Sequence, residues 1–138
     1  MNTKRTLTDF YCLRIALIGV ATLLSVSIGS AEALPEIDVA AAAAQIQDKQ
    51  IKVLDVREPS EFATGVISGA VLIPLGQVEK RLAELDMFKD RPMYVVCGSG
   101  GRSAQAIKVL SKHGFKKLQN MKGGMNAWRK ASLPVVAP

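Results

Sequence analysis

The sequence predicts an α/β domain built on a parallel sheet, and three observations carry that prediction. Short apolar runs alternate with segments whose apolar residues recur at helical spacing, the pattern of a parallel sheet covered on both faces. Met93-Tyr94-Val95-Val96, a buried-strand pattern, runs directly into a glycine-rich turn at Cys97 and then into a helix. The length, 138 residues, suffices for one domain with a proper core and is too short for two.

In order along the chain, Lys4, Arg5 and Arg14 precede an uncharged, largely apolar run from Ile15 to Ala31. Ala31-Glu32-Ala33 has the small-x-small form of a cleavage site, with Gly29-Ser30-Ala31 as an alternative cut. A secretory signal peptide over 1–33 is therefore expected, with export to the periplasm and a single domain over 34–138. Uncut, the same run would be a membrane anchor at the short limit for a span. Cys12 leaves with the signal, so the mature chain holds one cysteine and no internal disulfide. An unpaired thiol in an oxidising compartment is a liability unless it is used.

Asp38 is placed to cap a helix whose Val39, Ala42, Ala43 and Ile46 share one face. Ile51 to Val56 reads as a strand ending in Asp55-Val56-Arg57, and Pro59 suits the first position of a short helix to Ala63. Gly65 and Gly69 bracket a turn before a strand from Ala70 to Ile73, closed by Pro74. Val78, Leu82 and Leu85 predict a helix over 77–85. After the central strand and its turn, Ala104, Ile107, Val109 and Leu110 predict a helix to His113, stopped by Gly114. A strand from Lys117 to Met121 follows. Gly123-Gly124 then open a last helix with Met125, Trp128 and Ala131 on one face.

The chemistry concentrates in Cys97-Gly98-Ser99-Gly100-Gly101-Arg102-Ser103. Open α/β sheets place their ligand sites at the carboxyl ends of strands, where this segment falls. Its glycines permit dihedrals that point successive backbone N–H groups at one centre. The following helix adds its free N–H groups and about +0.5 charge, and Arg102 adds a cationic fork. Such a loop favours negative charge, so Cys97 is expected to have a lowered pKa and to be nucleophilic. Ser99 and Ser103 either donate to substrate oxygens or tie down the loop.

The whole chain carries a net charge of +6, with an isoelectric point near 9.6. Beyond residue 33 it has 15 basic and 10 acidic residues, a balance of +5. Lys108, Lys112, Lys116, Lys117 and Lys122 lack interleaved aromatics and read as a solvated face, so no nucleic-acid partner is expected. His113, the only histidine, has no cysteine or carboxylate cluster at metal spacing. No metal and no cofactor are expected, since no nucleotide, flavin or haem motif is present.

Four blocks together resemble the rhodanese domain. They are Asp55-Val56-Arg57, the segment from Gly65 to Pro74, the Cys97 loop, and Gly123-Gly124-Met125-Asn126-Ala127-Trp128. They stand in the family's order and spacing and span nearly all of 35–136. With the signal, the chain is similar to small exported single-domain rhodaneses of bacteria. The resemblance implies a five-stranded parallel sheet flanked by helices on both faces, and sulfur transfer through a cysteine persulfide. Cys97 would carry the persulfide. Backbone amides from Gly98, Ser99, Gly100, Gly101, Arg102 and Ser103 would cradle the transferred sulfur, with Arg102 closing the loop. Asp55 and Arg57 would brace that loop, while Trp128 and the Gly123-Gly124 turn match structural positions.

Two departures bear on this. The family often has a histidine at Val66, and a basic residue at Gly98 in members that use thiosulfate. Cys97-Gly98-Ser99-Gly100 instead resembles the loop opening of mercaptopyruvate sulfurtransferases, which leaves the donor open. The implied partners are a small anionic sulfur donor and a thiol or cyanide acceptor, with a redox or sulfur-carrier protein as a further candidate. Three other readings stand beside the enzyme: a partner-dependent persulfide carrier, a non-catalytic binding module, and a cysteine phosphatase or arsenate reductase. The last uses five residues between cysteine and arginine, whereas this chain has four, Gly98 to Gly101.

Overall fold

The computed structural model describes residues 33–138; the expected signal segment up to residue 32, with Cys12, lies outside the described residues. Five parallel strands form one sheet: β1 (Glu36–Ile37), β2 (Lys52–Asp55), β3 (Val71–Leu72), β4 (Met93–Val96) and β5 (Leu118–Met121). Their spatial order is β1-β5-β4-β2-β3, which sets β4 at the centre. Register is continuous there, with Asp55 beside Val96 and Val95 beside Asn120. Three α-helices connect strands, α1 (Val39–Gln45), α2 (Pro59–Phe62) and α3 (Gly101–Lys112), and α4 (Gly124–Lys130) follows β5.

Side chains alternate across the sheet, so each strand feeds two cores. Leu54, Val56, Met93, Val95 and Cys97 lie on one face with Ala106, Ile107 and Leu110 of α3. Val53, Tyr94, Val96 and Met121 lie on the other with Ala42 of α1 and Met125 and Trp128 of α4. Every residue of β4 is buried, which accounts for its unbroken apolar sequence. Among the described residues no helix is long and apolar enough to cross a membrane.

Several local expectations need correction. The helix expected over 77–85 is a chain of 3-10 turns: Leu75–Gln77, Glu79–Glu84 and Asp86–Phe88. Leu75, Val78, Leu82, Leu85 and Phe88 all pack on the α3-side core. Steps of three suit a helix with about 3.0 residues per turn. The one step of four, Val78 to Leu82, spans the kink at Arg81 (φ −114°, ψ 21°). Helix α3 starts at Gly101, three residues before the periodic run, because Gly100 takes φ +111° at its N-cap. Asp38 stands at the N-cap of α1 without a side-chain capping bond. Ala131 closes α4 as an exposed C-cap, not on its buried face. Strand β1, two residues long, is too short to leave a periodic signal.

Candidate active site

Cys97 follows the last residue of β4 and is 1% exposed. Its sulfur accepts the Gly100 N–H at 3.0 Å, and the Ser103 hydroxyl lies 3.4 Å away. Burial pushes the thiol pKa up. The Ser103 hydroxyl and the backbone amides of Ser103, Gly100 and Ser99 outweigh it, so the pKa falls below its ordinary value. The amides responsible come from the turn and first helical turn, as the glycine pattern implies. Ser99 itself is exposed at the loop tip, and Gly101 has open space where a side chain would stand.

The loop is held from below by α4. The N–H groups of Met125 and Asn126 donate to the carbonyls of Cys97 (2.8 Å) and Gly98 (3.0 Å). This contact requires glycine at 124. A Cβ there would lie 2.4 Å from the Cys97 carbonyl oxygen and 2.7 Å from the Gly98 carbonyl carbon and oxygen, and φ is +56°. The Gly123-Gly124 turn therefore docks one helix terminus on the cysteine loop.

Arg102 occupies a different place from the one its charge suggested. Its Nη1 donates to Oε2 of Glu61 at 2.6 Å and its Nη2 to Oε1 at 2.9 Å. The fork lies over Gly98, where a Cβ would come within 3.2 Å of Nη2. Arg102 closes the loop by pairing with α2, and the pair carries no net charge. The Arg102 hydrogen bond, helped by the Glu58 N–H and against partial burial, pushes the Glu61 pKa down to about 2. The Arg102 pKa rises in turn, chiefly through the same bond.

Asp55 and Arg57 form a buried pair, 2.7 Å apart and 0% and 1% exposed. Arg57 Nη2 also donates to the Gly65 carbonyl at 2.9 Å, and Nη1 to the Glu61 carbonyl at 3.1 Å and the Thr64 hydroxyl at 3.3 Å. Neither side chain hydrogen-bonds to the cysteine loop, although Asp55 lies beside Val96, the residue that precedes it. They clamp the 57–65 segment that presents Glu61 to Arg102.

Sequence reasoning left two residues of this site without a role in it. Glu61 stands in no motif that marks it as part of the site, because its partner is 41 positions away. Asn120 was not singled out, yet it shares the sheet face of Cys97 and its Oδ1 accepts the Ser103 hydroxyl at 2.6 Å. Its Nδ2 donates to the Gly100 carbonyl at 3.2 Å and to Glu36 at 3.4 Å. The available signal was asparagine inside an otherwise buried strand, where it is depleted. Among the described residues no group of three or more histidine, cysteine or acidic side chains is placed to hold a metal.

A thiolate-favouring cysteine in an amide-lined turn at the carboxyl edge of a parallel sheet defines an α/β domain equipped for cysteine nucleophilic chemistry. Residues 38–131 match the rhodanese-like domain, and the chain belongs to that family. It is 36% identical over 104 residues to a sulfurtransferase of Allochromatium vinosum, covering 75% of this chain and 95% of that protein. It is 41% identical over 100 residues to a Bacillus subtilis protein named as sulfur carrier YrkF, covering 72% of this chain. The matched segment is 53% of YrkF, so the chain spans about half of that relative. A rhodanese-related protein of Thermoplasma volcanium has a TM-score of 0.68 at 32% identity, over 75% of this chain and 99% of that one.

Proposed function

We propose that this chain is a sulfurtransferase that carries sulfane sulfur as a persulfide on Cys97. The observation that carries the reading is the sulfur's environment: the Gly100 amide at 3.0 Å and the Ser103 hydroxyl at 3.4 Å in a turn that favours thiolate. With thiosulfate or a similar donor, the Cys97 thiolate attacks the outer sulfur. The donor S–S bond breaks, and sulfite leaves with the bonding pair. The persulfide keeps one negative charge, which the loop amides stabilise as they do the thiolate; a hydrogen bond to a charged group is worth about 1.5–3 kcal/mol. Cyanide or a thiol then attacks the outer sulfur, and the Cys97 thiolate is released.

A phosphatase-type reaction is disfavoured because the arginine fork that would clamp a tetrahedral oxyanion is held by Glu61. A partner-dependent persulfide carrier is the second reading. It is favoured by the 1% exposure of Cys97, which leaves acceptors a narrow approach, and by the name of the relative YrkF. Export remains part of the proposal, supported by the basic start and apolar run ahead of Ala33. N-terminal sequencing of the protein from a periplasmic fraction tests it, and a retained Met1 would overturn cleavage.

The deciding experiment is the intact mass of the chain before and after thiosulfate, then after cyanide. A gain of about 32 Da, removed by cyanide and absent from Cys97→Ser, is the expected result. A gain that only a protein acceptor removes selects the carrier reading. No gain with thiosulfate, mercaptopyruvate or polysulfide overturns sulfur transfer.

A further inference from the structure

The Glu61–Arg102 pair stands at the opening of the cysteine loop. Glu61 Oε1 lies 3.7 Å from the position a Gly98 Cβ would take, and Arg102 Nη2 lies 3.2 Å from it. Both terminal nitrogens of Arg102 give an N–H to the carboxylate. Glu61 is fixed from the other side too, since its Oε2 accepts the Glu58 N–H at 3.0 Å where α2 begins. Arg57, the other arginine on this segment, is neutralised by Asp55. The arginine expected to draw an anion to the thiolate is thus paired with a carboxylate that lies within about half an ångström of the same distance from Gly98.

Resting on the sulfur-transfer reading, we propose that Glu61 is a donor-selecting residue. It offsets the charge of Arg102, so the site discriminates against dianionic donors and favours those whose transferable sulfur carries one negative charge. The physical reason is additive. Cys97 brings one negative charge to the encounter, the donor brings one or two, and each donor charge meets the field of Glu61 as well as that of Arg102. A dianion therefore loses twice what a monoanion loses. The side chains of Glu61 and Arg102 are 35% and 33% exposed, which moderates the effect without removing it. The carboxylate is ionised throughout the neutral range, its pKa being pushed down to about 2 by Arg102.

Two donors isolate charge from shape. Thiosulfate is a dianion; methanethiosulfonate replaces one oxygen by a methyl group and is a monoanion with the same transferable sulfur. The thiolate attacks that sulfur in both cases, with sulfite or methanesulfinate leaving with the bonding pair. The experiment measures kcat/KM for each donor with cyanide as acceptor, in the full chain and in Glu61→Gln, which keeps an oxygen for Arg102. The thiosulfate-to-methanethiosulfonate ratio is expected to rise about tenfold in Glu61→Gln, equivalent to about 1.4 kcal/mol. The rise is expected to shrink as ionic strength increases. A ratio that is unchanged or falls overturns the assignment, including when both rates drop together, as a purely structural role would require. Glu61→Ala repeats the comparison without the amide. Failure of the unmodified chain to form a persulfide with these two donors and with mercaptopyruvate and polysulfide overturns the sulfur-transfer reading itself; a persulfide with an unmoved ratio overturns only the role of Glu61.

Discussion

The carboxylate of Glu61 and the guanidinium of Arg102 meet through two parallel hydrogen bonds of 2.6 and 2.9 Å, joining α2 to the first turn of α3 over Gly98. Paired forks of this kind fix orientation as well as charge. Arg102→Ala removes the tie and leaves Glu61 as an uncompensated negative charge at the loop. Thiosulfate turnover should fall about ten- to hundredfold, with the persulfide still detectable by mass. Unchanged kinetics would show that Arg102 is not needed. The pair also predicts acid behaviour. The Glu61 pKa is lowered to about 2, so its stabilising effect is complete above the unfolded value, about 4.3. It is lost as pH falls toward 2, and unfolding curves of the chain and Glu61→Gln should converge over that window.

Ser103 bears on the thiolate directly. Its hydroxyl lies 3.4 Å from the Cys97 sulfur and 2.6 Å from Asn120 Oδ1, and its hydrogen bond helps lower the thiol pKa. Ser103→Ala should move the pH midpoint of iodoacetamide alkylation upward and slow alkylation at neutral pH about tenfold. A midpoint that stays put would assign the effect to the amides alone. Because the folded pKa is depressed, the thiolate stabilises the fold above the unfolded thiol pKa, and this is lost as pH falls through the folded one. The stability gap between the chain and Cys97→Ser should therefore widen as pH rises.

Gly124 and Gly69 offer a matched comparison. Both have positive φ, +56° and +74°, but only at Gly124 would a Cβ strike backbone, at 2.4 Å from the Cys97 oxygen. Gly69→Ala should cost about 1–2 kcal/mol, the left-handed penalty alone. Gly124→Ala should cost about 1–3 kcal/mol more and lower transfer by displacing the loop carbonyls. Equal denaturation midpoints for the two variants would contradict the docking of α4 on the loop.

Arg57→Met leaves Asp55 buried without its guanidinium. Removing one partner of a buried pair costs about 3–5 kcal/mol, and here the Gly65 and Glu61 carbonyls also lose a donor. A fall of that size in urea unfolding is expected. A loss below about 1 kcal/mol would mean that water replaces the guanidinium.

The sequence by itself determined the α/β class, the parallel sheet, and the cysteine at the end of the central strand, because these rest on local periodicity and on contiguous residues. Pro59 at the start of α2 and the buried run Met93–Val96 were legible for the same reason. The two-residue β1 and the 3-10 turns after Pro74 were not, since one is too short to show a period and the other differs from an α-helix by a single step in spacing. The charge state of the loop was decided only by the tertiary structure. Glu61 reaches Arg102 across 41 positions and Asn120 reaches Ser103 across 17, pairings created by the crossovers that set β4 between β2 and β5. A side chain's charge is written in the sequence, but the field it produces depends on which partner the fold places against it.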